Sequence, residues 1–166
     1  MNQREKTHYR KAFNSPYLSS ADIVEPTVLT IARVSLEIDH SKKSKDHFNT
    51  AYFVEKEIRK GEVLKPMILN AVNSRMMKDL TGSHFIDDWS GCQMMVYVDH
   101  NVKFGRDTVE GLRIMQAPAK EELTPDHKKW RQAVSVYKQY NSLDRVLSKM
   151  NISAANAELI KEQASA

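Results

Sequence analysis

Cysteine is almost absent from the sequence, and long apolar runs are absent altogether. Cys92 is the single cysteine among 166 residues, so neither an internal disulfide bond nor a cysteine-based zinc site can form. No apolar run approaches the roughly 20 residues that a membrane-spanning helix needs. The first six residues are polar and no apolar segment follows them, so we expect no secretory signal. A reducing cytoplasm is the expected location.

The motifs of the common enzyme classes are also missing. The sequence contains no GxxxxGK(S/T) phosphate loop, no GxGxxG and no GxSxG. Its six histidines are scattered without the HxH, HxxxH or HExxH spacing of metal ligands, so we predict neither a metal nor a cofactor. Glu55 and Glu57 resemble a nuclease carboxylate pair, but no aspartate is spaced to join them, and solvated charge is the better interpretation. We therefore predict that the protein is not an enzyme.

Five strands and one helix are predicted for the central part of the chain. The helix, Asn70–Leu80, has apolar residues at helical spacing and is followed by Gly82, which is placed to end it. The order of three strands, a helix and two strands is that of the OB-fold, a five-stranded Greek-key barrel. An SH3-like barrel is the main rival, although a helix of about three turns would be unusual inside it. The predicted strands are Thr27–Glu37, Thr50–Glu55, Val63–Leu69, Cys92–Asp99 and Thr108–Met115.

Two of these strands carry irregularities that can be predicted. Leu29 and Ile31 share one face of the first strand while Val34 and Leu36 share the other, so the alternation breaks near Ala32 and Arg33. A bulge there would return both pairs to one core. In the third strand Pro66 lacks a backbone donor, which predicts an edge or bulged strand.

The segments on either side of the barrel differ in character from it. We predict an N-terminal arm over residues 1–23, an OB-like barrel over 24–118 and a three-helix appendage over 119–166. The arm is expected to pack its large residues on the barrel: Tyr9, Phe13, Tyr17, Leu18 and Ile23. The appendage is expected to begin its helices at Thr124 (with Pro125 in the first turn), Ser142 and Ser153, and to turn Trp130, Ala133, Val134 and Tyr137 to one face.

Five short motifs of the chain occur together in other proteins: His8–Leu18 (HYRKAFNSPYL), Thr27–Ile31 (TVLTI), Trp89–Gly91 (WSG), Val102–Gly105 (VKFG) and Leu112–Ile114 (LRI). With them the chain resembles a family of small proteins encoded by bacteriophages and prophages. The resemblance covers roughly residues 8–118, and the tail, with Trp130, Ser142-Leu143 and Ile152-Ser153, is similar to tails in that family. It implies an OB-like fold and a place among replication and recombination functions. Relatives often carry lysine after the Trp-x-Gly motif, where this chain has Cys92.

Aromatic and basic residues of the barrel are the candidate contacts to a nucleic-acid strand. Bases stack on aromatic rings while lysine and arginine follow the phosphates, with little sequence preference. Neighbouring Tyr52 and Phe53 point to opposite faces, so one is core and one exposed, and Tyr97 is the expected exposed ring of its strand. Alternatively the rings belong to the core and the cations are solvated. The candidates are Arg33, Tyr52, Phe53, Lys65, Tyr97, Lys103, Phe104, Arg106 and Arg113.

Charged residues at other positions do not identify the ligand. The net charge of +4 permits binding to a polyanion without demanding it. Lys42, Lys43 and Lys45 form a charged loop that either clamps phosphates or keeps the chain soluble. Residues 142–160 have the spacing of a helix-turn-helix, but the last helix is too acidic for a recognition helix, and a small partner-docking bundle fits better.

Three functions from different classes remain. The first is a phage-type, sequence-tolerant protein of replication or recombination that binds single-stranded DNA or RNA in the cytoplasm of a host bacterium. The second is a protein-interaction or host-counter-defence module without nucleic-acid contact. The third, a nuclease or other enzyme, is disfavoured by the missing motifs. We expect no membrane partner, and we expect the C-terminal helices to mediate homo-oligomer or partner contacts.

Overall fold

The structure, a computed structural model, describes residues 6–39, 43 and 45–166. The first five residues of the predicted arm, and Lys42 of the lysine loop, lie outside the described residues. The chain divides into two compact units, with the boundary between Ala117 and Pro118. Within the described ranges, no helix combines the length and apolar character that crossing a membrane requires.

A five-stranded antiparallel sheet forms the centre of the first unit. Its strands lie in the order β5-β2-β1-β6-β7, and β3 pairs with β4 in a separate hairpin. Strand β6 returns beside β1 after a long connection, so β6-β1-β2-β5 has the order of a Greek key. The strands are β1 (Thr27–Ile38), β2 (His47–Phe53), β3 (Glu57–Arg59), β4 (Glu62–Val63), β5 (Met67–Leu69), β6 (Gln93–Phe104) and β7 (Asp107–Gln116).

The sheet is open, so its backbone pairing does not by itself form the barrel expected from the sequence. No backbone pairing joins the edge strands β5 and β7 within the described part of the chain. Helix α1 (Ala71–Thr81) contacts both edge strands. The Nδ2 atom of Asn73 donates to the carbonyl oxygen of Leu112 in β7 at 3.0 Å. The helix thereby satisfies a backbone acceptor of the edge strand β7.

The predicted bulge in β1 is present. The register of β1 against β2 shifts between Ile31 and Arg33, and Leu29, Ile31 and Val34 are all buried. Leu36 is 61% exposed, so the expectation that it joins the core is wrong. Because of the bend, residues 27–30 of β1 pair with β6 while residues 31–38 pair with β2.

Strand ends differ from the sequence expectation at three places. The predicted second strand, Thr50–Glu55, is displaced toward the N-terminus, and β2 runs His47–Phe53. The predicted third strand is divided at Pro66 into β4 and β5, and β5 is an edge strand, as expected from the missing proline donor. The residues between the predicted strands Cys92–Asp99 and Thr108–Met115 are also mostly strand, because β6 and β7 continue their pairing to Phe104 and Asp107. Gly105 makes the reversal possible with a φ of 61°.

Helix α1 begins and ends as its sequence predicts. The side chain of Asn70 caps the first turn by accepting from the backbone N–H of Asn73 at 2.9 Å. Gly82 ends the helix with a φ of 71°, and its N–H donates to the carbonyl oxygen of Lys78. Met77 is fully buried against the sheet core, which fixes the inner face of the helix.

The N-terminal segment packs only part of its large residues. Tyr17, Leu18 and Ile23 are buried, as predicted. Tyr9 and Phe13 lie on a 3₁₀ helix (Tyr9–Phe13) and are 69% and 70% exposed, so the expectation that they pack on the sheet is wrong. Ion pairs from neighbouring side chains, rather than these two rings, hold the 3₁₀ helix in place.

The second unit contains three helices around its own core. The helices are α2 (Trp130–Tyr140), α3 (Asp144–Leu147) and α4 (Ala154–Ser165). Trp130 is buried with Leu123, Ala133, Met150 and Ile160, and its Nε1 donates to Gln163 at 2.9 Å. Val134 and Tyr137 pack partly against the same core, so the predicted apolar face is confirmed.

Only one of the three predicted helix starts in this unit is confirmed without change. Ser153 caps α4 by accepting from the N–H of Asn156 at 3.2 Å. Thr124 does not cap a helix, because Thr124–His127 forms a separate turn and α2 begins at Trp130. Ser142 accepts from the N–H of Asp144, but α3 is only one turn long. The segment therefore lacks the first full helix of a helix-turn-helix.

Candidate nucleic-acid interface

The tip of the β6–β7 hairpin presents an aromatic ring between two cations. Phe104 pairs with Asp107 across the turn, and its side chain is 76% exposed. Lys103 and Arg106, the residues on either side of the Phe104-Gly105 pair, are also exposed. The Nζ of Lys103 donates to the hydroxyl of Thr108 at 2.7 Å, while Arg106 forms no ion pair with any described residue. A large ring left in water beside cations can stack on a base while the cations meet phosphates.

Arg33 and Tyr52 form a second feature on the outward face of β1 and β2. They are cross-strand partners, and the Arg33 guanidinium lies 3.7 Å from the centre of the Tyr52 ring. The Tyr52 hydroxyl donates to Glu37 at 2.8 Å, and this hydrogen bond raises the pKa of the hydroxyl. Arg33 thus covers one face of the ring, so a base would reach the exposed guanidinium plane before the ring.

Tyr97 and Arg113 are cross-strand partners on β6 and β7. Both are half-buried, and the Nε of Arg113 lies 3.9 Å from a carboxylate oxygen of Asp99. The Arg113 side chain is only 17% exposed, which restricts its contact with a phosphate. Tyr97 lines a cleft beside the N-terminal segment rather than a flat outer surface.

Two predicted contacts have structural roles instead. Phe53 is buried in the sheet core beside Ile31, so it offers no face to a base, and its place among the binding candidates is wrong. Lys65 pairs with the buried carboxylate of Asp22 at 3.4 Å, which engages its charge inside the protein. The structure therefore leaves Lys103, Phe104 and Arg106 exposed at one hairpin tip, and keeps Arg33 with Tyr52 as a separate pair.

Glu55 was expected to be solvated, and it is half-buried with hydrogen-bond partners in the protein. Both of its carboxylate oxygens accept hydrogen bonds from Thr30 of β1, at 2.8–3.1 Å. The carboxylate therefore holds the end of β2 to β1. This local role agrees with the absence of a nuclease constellation in the sequence.

A cleft of about 640 Å³ that the sequence did not reveal lies beside the N-terminal segment. At its edge Glu110 accepts from Nε2 of His8 at 2.9 Å and faces Nδ1 of His100 at 3.3 Å. The hydrogen bond with His8 lowers the pKa of Glu110. His8 and Glu110 are 102 residues apart, so no local pattern could have paired them.

A second group of charges closes the other side of this cleft. Lys11 pairs with Asp22 at 3.0 Å and with Glu62, and the hydrogen bond to Glu62 is the main cause that raises the pKa of Lys11. Arg59 donates to Glu62 at 2.6 Å and to the carbonyl oxygen of Asp22 at 2.8 Å. These cations are engaged by acids, so the cleft offers a phosphate less positive charge than its composition indicates.

Cys92, the single thiol of the chain, is half-buried. Burial raises the pKa of the Cys92 thiol, which keeps it protonated and weakly nucleophilic. No group of three histidine, cysteine, aspartate or glutamate side chains in residues 6–39, 43 and 45–166 is arranged to hold a metal ion. Comparison with known proteins found no matching family model, no matching curated protein and no matching solved structure.

Proposed function

We propose that the first unit binds single-stranded nucleic acid with little sequence preference, and that the tip of the β6–β7 hairpin is its main contact. The observation that carries the proposal is Phe104, 76% exposed between Lys103 and Arg106. Burying a phenylalanine is worth roughly 1.5–3 kcal/mol, so a ligand that covers this ring gains binding free energy. Stacking with a base covers the ring, and the two flanking cations suit the phosphates on either side.

The topology supports the same proposal. A Greek-key order with a helix before the fourth strand is that of the OB-fold, whose barrel is partly open. We propose that this sheet is such a partly open barrel, with α1 beside the gap between β5 and β7. The loop between the fourth and fifth strands is one of the OB-fold loops that bind oligonucleotides, and here that loop carries Phe104. The resemblance to phage and prophage proteins adds a role in replication or recombination within a host cytoplasm.

The experiment is a fluorescence-anisotropy titration of the full chain with labelled oligo-dT and oligo-rU of equal length at two salt concentrations. We expect Phe104→Ala to weaken binding by about 1–3 kcal/mol, roughly 5- to 150-fold, through the lost stack. The double change Lys103→Ala with Arg106→Ala should reduce the slope of log affinity against log salt, by up to about 1.4 on a single strand. The two oligonucleotides distinguish DNA from RNA as the preferred strand.

Phe85→Ala is the matched control for this titration. Phe85 is 70% exposed in the same unit, but its neighbours Asp87 and Asp88 are acidic, so a phosphate is repelled there. Its removal should leave affinity unchanged within about twofold. Equal affinity of the Phe104→Ala variant and the native chain, or the absence of any binding at low salt, would remove the hairpin tip as a binding site.

A second candidate function is a protein-interaction or counter-defence module, and one observation favours it. Leu36 and Ile38 are 61% and 40% exposed and share one face at the end of β1. Exposed aliphatic residues of this kind fit a protein surface better than a nucleic-acid strand. If neither oligonucleotide binds, Leu36→Lys tested in a pull-down from a bacterial host is the next measurement.

A further inference from the structure

A groove in the second unit has an apolar floor and a positive rim. It encloses about 460 Å³, a volume in the range of ligand pockets. Ala133, Val146 and Met150 contribute to the floor, and Lys129, Arg145 and Lys149 stand at the rim. The three cations are exposed, whereas Ala133 and Met150 are only 4% exposed. The groove therefore combines a buried apolar floor with a positively charged opening.

No carboxylate lines this groove. Two acidic side chains of the unit pair with other residues: Glu121 with His127 at 3.2 Å, and Glu158 with Lys161 at 2.7 Å. None of the three rim cations forms an ion pair with a described residue. Their charge is therefore available to a ligand of opposite charge.

The position of one rim cation is fixed. The Arg145 guanidinium lies 3.8 Å from the centre of the Tyr140 ring, a cation–π contact that orders the side chain. An ordered guanidinium loses little conformational freedom when it binds a carboxylate.

We propose that this groove binds an acidic peptide segment of a partner protein, with one apolar side chain on the floor and carboxylates at the rim. A peptide fits better than a nucleic-acid strand because the apolar lining residues, among them Leu123, Val136 and Met150, are not aromatic and offer no ring on which a base could stack. The proposal concerns the second unit alone and does not rest on nucleic-acid binding by the first.

The test uses the full chain with ¹³C-labelled methionine methyl groups observed by NMR. Two probes of equal length are titrated: a peptide of four aspartates and two leucines, and the same peptide with the leucines replaced by alanine. The leucine peptide should shift the Met150 methyl signal and leave that of Met77, buried in the first unit, unchanged. The alanine peptide should bind at least fivefold more weakly, because the floor loses its apolar partner.

Two charge-reversal variants, one at the rim and one outside the groove, are compared. Lys129→Glu with Lys149→Glu should weaken binding of the leucine peptide at least tenfold. Arg131→Glu with Lys138→Glu makes the same change of charge at exposed positions of α2 outside the groove. This control variant should weaken binding of the leucine peptide less than threefold. The four substituted side chains are all exposed, so both double variants are expected to fold.

Three results would each overturn the proposal. The first is no Met150 shift with either peptide at about 1 mM and low salt. The second is equal weakening by the two charge-reversal pairs, which indicates attraction by net charge alone. The third is a Met150 shift with oligo-dT and none with the peptides, which would assign the groove to a nucleic-acid strand.

Discussion

Among the single residues of the first unit, Asp22 shows how hydrogen bonds stabilise a buried carboxylate. Asp22 is 3% exposed, and one of its oxygens accepts from Lys11 at 3.0 Å and Lys65 at 3.4 Å. Its other oxygen accepts from the N–H and the hydroxyl of Ser19 at 2.9 and 3.0 Å. Burial by itself would raise the pKa of Asp22, but the hydrogen bonds from Lys11 and Ser19 hold it below the ordinary value of 3.8.

The lowered pKa of Asp22 gives stability a defined pH dependence. A carboxyl whose pKa is lower in the folded state stabilises that state above its unfolded pKa, and this contribution is lost as the pH falls through the folded pKa. We expect Asp22→Asn to reduce the free energy of unfolding at pH 7 by roughly 1–3 kcal/mol. The variant should also lose less stability than the native chain between pH 5 and pH 3. Urea unfolding at pH 7, 5 and 3 measures both effects.

Asp87→Asn is the control for that series, since Asp87 is exposed. Its unfolding free energy should follow the native chain at every pH. Glu62 and Glu110 also have lowered pKa values, through hydrogen bonds from Lys11 and His8, so some acid sensitivity should persist in the Asp22 variant. A variant of Asp22 with the same pH profile as the native chain would show that other carboxyls govern the acid response.

Elements whose signals lie in adjacent residues were predicted well. The bulge near Arg33, the edge strand after Pro66 and both ends of α1 depend on alternation, a missing donor and capping side chains, all of which the sequence displays. Elements fixed by distant partners were predicted poorly. The β6–β7 hairpin is longer than expected because each strand supplies the other's hydrogen bonds, and α2 begins at Trp130 because that ring packs against α4.

The N-terminal cap of helix α1 provides a prediction for a single secondary-structure element. Asn70 is its cap, so Asn70→Ala should lower the free energy of unfolding by about 0.5–2 kcal/mol, through the unsatisfied N–H of Asn73. Asn70→Asp and Asn70→Ser keep an acceptor and should remain within about 0.5 kcal/mol of the native chain. Chemical denaturation followed by circular dichroism gives these values. Equal losses in all three variants would mean that another interaction of Asn70 is responsible.

At the scale of the whole molecule, the described residues form two separate hydrophobic cores. One is formed by residues between Leu18 and Ile114, and the other by residues between Leu123 and Ile160. The change of character after Pro118 was visible in the sequence as a switch to helical spacing. The candidate site was visible only in part: Phe104 with its two cations is contiguous in sequence, whereas Phe53 and Lys65 depend on which face of the sheet is buried and on the position of Asp22.

Separate cores predict separate behaviour of the two units. A chain truncated after Ala117 retains every residue of the first core, so it should unfold in urea at a midpoint close to that of the full chain, with Trp89 as the fluorescent probe. It should keep its affinity for oligo-dT and lose binding of the acidic leucine peptide. If the full chain self-associates in sedimentation, the truncated chain should be monomeric. Loss of oligo-dT binding by a truncated chain that remains folded would assign strand binding to the second unit, and the helix-turn-helix interpretation of residues 142–160 would then have to be tested directly.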